Sequence, residues 1–310
     1  MALYPPLVVA ATQVQALAWN LGWLALLLRA TERARRRQPR AWIWFGLAAA
    51  GAALTDPILA APAAALALWL LVGGWPRREF VRMALVAAAL LAPWTIRNFA
   101  VHGRVIFVKN SLGYVLWQGN VPGSHGTDKL LPDRRPPAAA SPAAAVRQAA
   151  AERGRSRSVD DLLTLGDLRR LSALPAEIDR MDWFAARLRQ ELAADPWQYP
   201  RMCWVRLRQW LWFDETNPRA AVWHYRVCYA ALVAAAAWGV VRGAAPAGLA
   251  MPWLLAGLAL TGVHVLVIAS ARFRIPAEML LLAAAAGACV RPPGVARRPT
   301  AMESKGTTRR

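Results

Sequence analysis

"LLAPWTIRNFAVHGRVIFVKNSLGYVLWQGNVPG" (residues 90–123) starts as the end of an apolar helix and turns within a few residues into a polar, aromatic segment. Pro93, Trp94, Arg97 and Asn98 close the apolar run, and Asn110, Gly113, Tyr114, Trp117, Gln118 and Asn120 follow. A helix needs about 20 mainly apolar residues to cross the hydrocarbon core of a bilayer, and the run over 83–100 approaches that length. Its polar end then marks a membrane surface.

The rest of the chain repeats the pattern. The 310 residues are 57% hydrophobic yet carry a formal net charge of +20, so apolar and charged residues must occupy separate blocks, as in polytopic membrane proteins. Candidate spans are 5–28, 41–54, 57–74, 83–100, 221–241, 247–269 and 275–290. The expected fold class is all-α: a polytopic helical membrane protein of about seven spans with one long extracytoplasmic loop. Its parts are N-terminal transmembrane helices (1–100), a loop with amphipathic interfacial helices (101–220), C-terminal transmembrane helices (221–291) and a basic cytoplasmic tail (292–310). In the second span, "GLAAAGAAL", Gly46 and Gly51 allow a neighbouring helix to approach closely.

Arginine placement sets the orientation. Arg29, Arg33, Arg35, Arg36, Arg37 and Arg40 fill one short connection, Arg77, Arg78 and Arg82 the next, and Arg291, Arg297, Arg298, Lys305, Arg309 and Arg310 the tail. With seven spans all three blocks share one side, which the positive-inside rule makes cytoplasmic. The expectation is a multi-pass protein of the bacterial cytoplasmic (inner) membrane, without a cleavable signal peptide because the first apolar stretch lacks a basic leader and a small-residue cleavage site. Nucleic acid is not an expected partner, since the arginines flank apolar spans and form no continuous basic domain.

No phosphate-cradling glycine loop or serine-nucleophile elbow is present. Cys203, Cys228 and Cys289 and the four histidines, His102, His125, His224 and His264, have neither CxxC nor metal-ligand spacing. His264, ionisable and mid-span, is a candidate site residue, with a helix-packing role weighed above it.

Within the loop, 132–158 is Pro/Ala/Arg low-complexity, and 159–194 alternates apolar and charged residues at helical spacing. "DPWQYPRMCWVRLRQWLWF" (195–213) is an amphipathic segment for the headgroup level, with Trp204, Arg208 and Trp210 as interfacial residues. A groove guiding a lipid phosphate is the second reading of this segment. Two polar constellations face outward. One is the Arg97–Asn98 end of span 83–100 with the segment after it; the other is "SARFRIPAE" (270–278), with Arg272, Arg274 and Glu278 about a tight Pro276 turn. Guanidinium groups there suit a phosphate or pyrophosphate, and Trp, Tyr, Asn and Gln suit a sugar. Snorkelling arginines and belt aromatics are the plain alternative.

"ALYPPLV" (2–8), "GLAAAGAALTDP" (46–57), "APWTIRNFAVHGRVIFVKNSLGYVLWQGNVPG" (92–123) and "ARFRIPAEMLLLAAAA" (271–286) resemble, in content and order, the bacterial dolichyl-phosphate-mannose protein mannosyltransferase-like proteins of glycosyltransferase family 39. These are GT-C membrane enzymes similar in plan to the aminoarabinose transferases of lipid A. The resemblance implies an α-helical enzyme that moves a sugar from a polyprenyl-phosphate donor to an acceptor glycan, lipid or protein on the outer side of the membrane. It implies Arg97, Arg272 and Arg274 for the donor phosphate, and Tyr114, Trp117, Gln118 and Asn120 for the sugar or the loop architecture. For Gly113 and Gly119 the preferred reading is turn chemistry. Membrane lipids are further partners; a divalent metal has a place in the family's chemistry, and no other cofactor is implied.

The sequence also departs from the family. "ALYPPLV" lies well inside family chains but at residues 2–8 here, so the expectation is that the family's N-terminal part, with the acidic first outer loop credited with catalysis, is lacking. Asp56 in "LTDP" replaces a basic residue and is read as a turn or cap residue before a substitute acid. No catalytic base is nominated. The alternative function is a non-catalytic truncated homologue or a membrane partner subunit. A transporter ranks third, because no repeated halves are seen.

Overall fold

The computed structural model describes residues 17–131, 158–216, 223–241 and 250–290; the side chains of 240, 250, 271–273 and 287–290 lie outside that description. The first residues of the expected first span, the low-complexity stretch and the basic tail therefore lie outside the described residues. The described chain is all-helical. Its only β feature is an isolated bridge between Lys129 and Ser158.

Among the described residues seven helices form the apolar body: α1 (Leu17–Arg35), α2 (Ala41–Thr55), α3 (Ala60–Val72), α4 (Arg77–His102) and, after the intervening segment, α9 (Trp223–Val241), α10 (Ala250–Leu266) and α11 (Ala271–Val290). The helices between them are α5 (Leu112–Asn120), α6 (Leu165–Ala173), α7 (Glu177–Ala194) and α8 (Gln198–Leu211). α2 packs on α1 and α4, α3 on α10, and α9 on α11. Leu24, Leu27, Phe45, Leu59, Leu66 and Leu260 form the shared core.

Among the described helices, α4, at 26 residues, is the one both long and apolar enough to cross a membrane; Ala41–Thr55, Pro57–Val72 and Met251–Leu266 are apolar but shorter. The α2–α3 break has a local cause. Pro57 disfavours helical backbone at Asp56, and the Asp56 carboxylate accepts from the Ile58 N–H at 3.3 Å and from Asn20 Nδ2 of α1 at 3.0 Å. Asp56 thus caps the 3-10 turn Pro57–Leu59, as its sequence context implied.

The two glycines of α2 make close helix contacts. A Cβ on Gly46 would stand 2.8 Å from the Met83 carbonyl and 2.9 Å from the Val86 side chain of α4, and one on Gly51 would overlap the Trp23 indole of α1. Gly46→Ala is expected to cost about 1–3 kcal/mol through overpacking, partly offset by alanine's better helix propensity of about 1 kcal/mol. Thermal unfolding in detergent checks this: Gly46→Ala lowers the midpoint, whereas Gly22→Ala, with nothing within 4 Å of the added Cβ, does not.

Three sequence expectations need correction. α1 runs through Arg29 and Arg33 to Arg35 instead of ending at 28, and α4 starts at Arg77, six residues before the apolar run at 83. In both cases arginines with an i−3 or i−4 carboxylate partner prolong the helix, Arg35 and Arg36 with Glu32 and Arg82 with Glu79. Pro276 is inside α11, so the reversal between α10 and α11 falls at 267–270, before Arg272. A proline in the second turn forfeits one intrahelical bond without ending the helix.

The segment 112–120, expected as a loop, is helix α5. It packs on α7 around Trp117, Val121, Leu130, Val159, Phe184 and Leu188. Gly113 and Gly119 accordingly serve close packing, not a turn: a Cβ on Gly113 would stand 2.7 Å from the Met181 carbonyl of α7, and one on Gly119 would strike the Val267 carbonyl. The helical spacing over 159–194 resolves into α6 and α7. α6 is started by a capping box in which Asp167 and Thr164 bond reciprocally, and the Thr164 hydroxyl holds the Asp167 carboxyl below its usual range.

Candidate functional site

The polar end of α4 has a structural cause. Gly103, at φ 66°, ends the helix in the left-handed region, and the chain folds back along α4. Trp94 Nε1 donates to the Val108 carbonyl at 3.0 Å, Thr95 Oγ1 to Phe107 at 3.1 Å and Asn98 Nδ2 to Ile106 at 3.0 Å. Successive carbonyls of this apolar segment are thus satisfied by side chains on one helix face. Phe107, Val105, Ile96 and Phe99 remain exposed around this fold-back.

Arg97 stays outside the ladder. It is exposed, its guanidinium sits 5.1 Å over the Trp94 ring, and Nη1 donates to Asn98 Oδ1 at 3.2 Å. Leu90, Trp94 and Arg97 stand at i, i+4 and i+7, on one stripe of α4. Leu90 also lines a 690 Å³ apolar groove between α1, α2 and α4, together with Trp23, Leu26, Trp44, Leu47 and Leu54. Arg97 is therefore about 10 Å along the helix beyond the groove wall. At the other end of the groove are Arg29 and Arg33; the Arg33 guanidinium lies 5.6 Å over the Trp44 ring, and its buried Nε has no hydrogen-bond partner.

The other candidates separate. Tyr114, Trp117, Gln118 and Asn120 are turned into the protein. Gln118 Nε2 donates to the Tyr114 hydroxyl at 2.7 Å, and that hydroxyl donates to the Asp160 carboxylate at 2.8 Å. Burial, and then the Asp160 carboxylate, push the Tyr114 hydroxyl well above its usual range, so it remains a donor. Phe184 lies between Tyr114 and Trp117, at centroid distances of 4.8 and 4.9 Å. Protein occupies these ring faces, which places the four residues in the architecture of the unit.

Trp197, the N-cap of α8, and Arg201, Trp204, Arg208 and Leu211 of α8 form an exposed stripe. Trp210 turns inward: it stacks on His264 at 4.3 Å, and its Nε1 donates to Thr261 Oγ1 at 3.0 Å. His264 Nδ1 lies 3.1 Å from the Ile268 carbonyl, a packing role.

Arg206, on the same inner face as Tyr199 and Cys203, is fully buried and is the residue that sequence reasoning passed over. It donates to the Gly119 carbonyl at 2.6 Å, to Asn120 Oδ1 at 3.0 Å and to the Val265 carbonyl at 2.5 Å. Burial lowers its pKa from the usual arginine range. The signal for it was periodicity: the exposed Trp/Arg stripe leaves 199, 203, 206 and 210 on the opposite face.

Arg274 is also enclosed. It pairs with Glu278 at 2.6 Å, donates to the Trp210 carbonyl at 3.3 Å and to the Trp212 carbonyl, and lies 4.2 Å over the Tyr229 ring. Arg272 belongs to α11, but its side chain lies outside the described residues. Of the three arginines assigned to a donor phosphate, Arg97 is thus a described one whose guanidinium faces outward.

Among the described residues no three His, Cys, Asp or Glu side chains gather as a metal-binding group. Comparison with family models, curated proteins and solved structures finds no match to this chain.

Proposed function

We propose that the chain is a multispan membrane protein that binds a polyprenyl-phosphate-linked sugar and serves its transfer to an acceptor on the outer side of the bacterial cytoplasmic membrane. The observation that carries this reading is the continuous stripe from the apolar groove through Leu90 and Trp94 to the exposed Arg97. An isoprenoid tail in the groove brings its phosphate to a guanidinium resting on an indole, with no bound nucleotide needed. Exposed apolar side chains around the body support membrane residence, among them Leu68, Leu85, Val233, Trp238, Leu254 and Leu258. Only 6% of the apolar stretch of α4 is buried, which suits a helix in contact with lipid. The arginine-rich connections set the sidedness.

In such a transfer the acceptor hydroxyl attacks the anomeric carbon, the bond to the phosphate oxygen breaks, and the leaving phosphate needs a positive charge, which Arg97 supplies. The acceptor proton needs a base. Asp56, Asp160, Asp167 and Asp214 are each engaged in structural hydrogen bonds. This favours, as the second reading, a donor-binding subunit whose base comes from a partner polypeptide.

The test is binding of polyprenyl monophosphate to the full chain in nanodiscs. Arg97→Ala is expected to weaken it about 10- to 100-fold, the worth of a charge-assisted hydrogen bond of roughly 1.5–3 kcal/mol. Arg189→Ala, an exposed arginine on α7, leaves it unchanged. No saturable binding by the unmodified chain would sink the proposal. Release of polyprenyl phosphate from sugar-loaded donor separates the enzyme from the binding subunit.

A further inference from the structure

At the opposite end of α4 from Arg97, the α1–α2 and α3–α4 connections line a second, half-open cavity of 340 Å³, within the roughly 300–1,000 Å³ range of small-ligand sites. Four arginines line it, Arg37, Arg40, Arg78 and Arg82, against one carboxylate, Glu79, with Trp42 and Trp75 as apolar walls. Two helices begin there, α2 at Ala41 and α4 at Arg77, and neither has a side-chain cap. Each leaves the positive end of its macrodipole at the cavity.

The cavity is held in shape. Arg37 Nη2 donates to the Gly74 carbonyl at 2.8 Å, tying the two connections together. Arg82 lies 5.8 Å over the Trp42 ring and donates to Glu79 at 3.0 Å. Arg37 and Arg40 both have left-handed backbone, at φ 55° and 58°, a strained state for arginine that persists where the surroundings impose it. Four guanidinium groups and two helix N-termini are opposed by one glutamate, which leaves an excess of positive charge for an anion to neutralise.

We propose that this cavity binds a phosphate-bearing anion, supplied as the phosphodiester headgroup of an acidic lipid from the leaflet beside the two basic connections. Guanidinium forks and helix N-termini both match phosphate oxygens, and basic pockets between spans on the cytoplasmic side suit acidic headgroups. The tryptophan walls accommodate the start of the glycerol backbone. The site rests on the membrane residence and sidedness proposed above but not on the donor lipid, whose residues are elsewhere, so loss of donor binding leaves it untouched.

The test uses the full chain in detergent, exposed to phosphatidylglycerol or phosphatidylcholine and examined by native mass spectrometry, with inorganic phosphate as a separate arm. Phosphatidylglycerol is expected to be retained at least about 10-fold over phosphatidylcholine, and Arg40→Gln with Arg78→Gln removes the preference. That pair spares the Arg37–Gly74 and Arg82–Trp42 contacts and gives up the exposed Arg78–Glu79 pair at 3.5 Å; each substitution alone gives a smaller loss and serves if the pair does not fold. Saturable inorganic phosphate binding without lipid preference, abolished by the same pair, keeps the phosphate site and reassigns its source to a soluble ester. Equal retention of both lipids with no phosphate binding, or an undiminished preference in the variants, overturns the site.

Discussion

Replacing Arg206 with Met is expected to destabilise the junction of α5, α8 and α10 by about 3–5 kcal/mol, although the substitution keeps much of the side-chain volume. The last carbonyls of a helix have no intrahelical partner. Arg206 satisfies them for two helices at once, reaching Gly119 in the last turn of α5 and Val265 in the last turn of α10, while its charge complements both helix dipoles. Methionine leaves those oxygens buried without a donor, at roughly 1–3 kcal/mol for each orphaned group. Arg206→Lys keeps the charge but lacks the planar fork, so it rescues only part of the loss. Hydrogen exchange in detergent reads the result: amides of 117–121 exchange about 100-fold faster in Arg206→Met, with a smaller increase in Arg206→Lys. A change below threefold would show that α5 is held by its packing on α7 alone.

What was legible in the sequence follows from which residues have a single use in their surroundings. Gly46 and Gly51 in an apolar helix mark close approach, and both are found at such contacts. Asp56 before a proline reads as a cap and is one. α5 was missed because Gly113, Gly119 and Asn120 are poor helix formers whose local preference is a turn; burial of Trp117 against Phe184 overrides it. Arg206 and Arg208 are indistinguishable by composition, and only the helical period turns one inward and the other out. Pro276 hides the Arg274–Glu278 pair, because its local preference is a turn although the two flanking residues stand one helical turn apart. The purpose of Trp94, Thr95 and Asn98 depends on a chain reversal after Gly103 that no local pattern announced.

Breaking the Arg274–Glu278 pair from either side is expected to cost about 3–5 kcal/mol, whereas replacing both with Leu costs clearly less than the sum of the two. The pair is short, at 2.6 Å, and nearly closed to solvent, with side-chain exposures of 10% and 2%. Removing one charge in such surroundings strips the other of its short-range counter-charge, and removing both takes away the desolvation cost along with the attraction. The two single losses are not equivalent. Without Glu278, Arg274 retains the Trp210 and Trp212 carbonyls and the Tyr229 face. Without Arg274, α11 loses its link to the end of α8, so Arg274→Leu is the more damaging. Denaturant unfolding in micelles of the two single variants and the double variant measures the coupling, and additive losses would mean the pair contributes nothing beyond its separate contacts. Donor-lipid binding on the same variants decides what Arg274 is for. If it only holds α8 on α11, binding falls in proportion to lost structure and recovers in the double variant. A phosphate ligand, in contrast, would bind donor more tightly in Glu278→Gln and lose it in the double variant however well that variant folds.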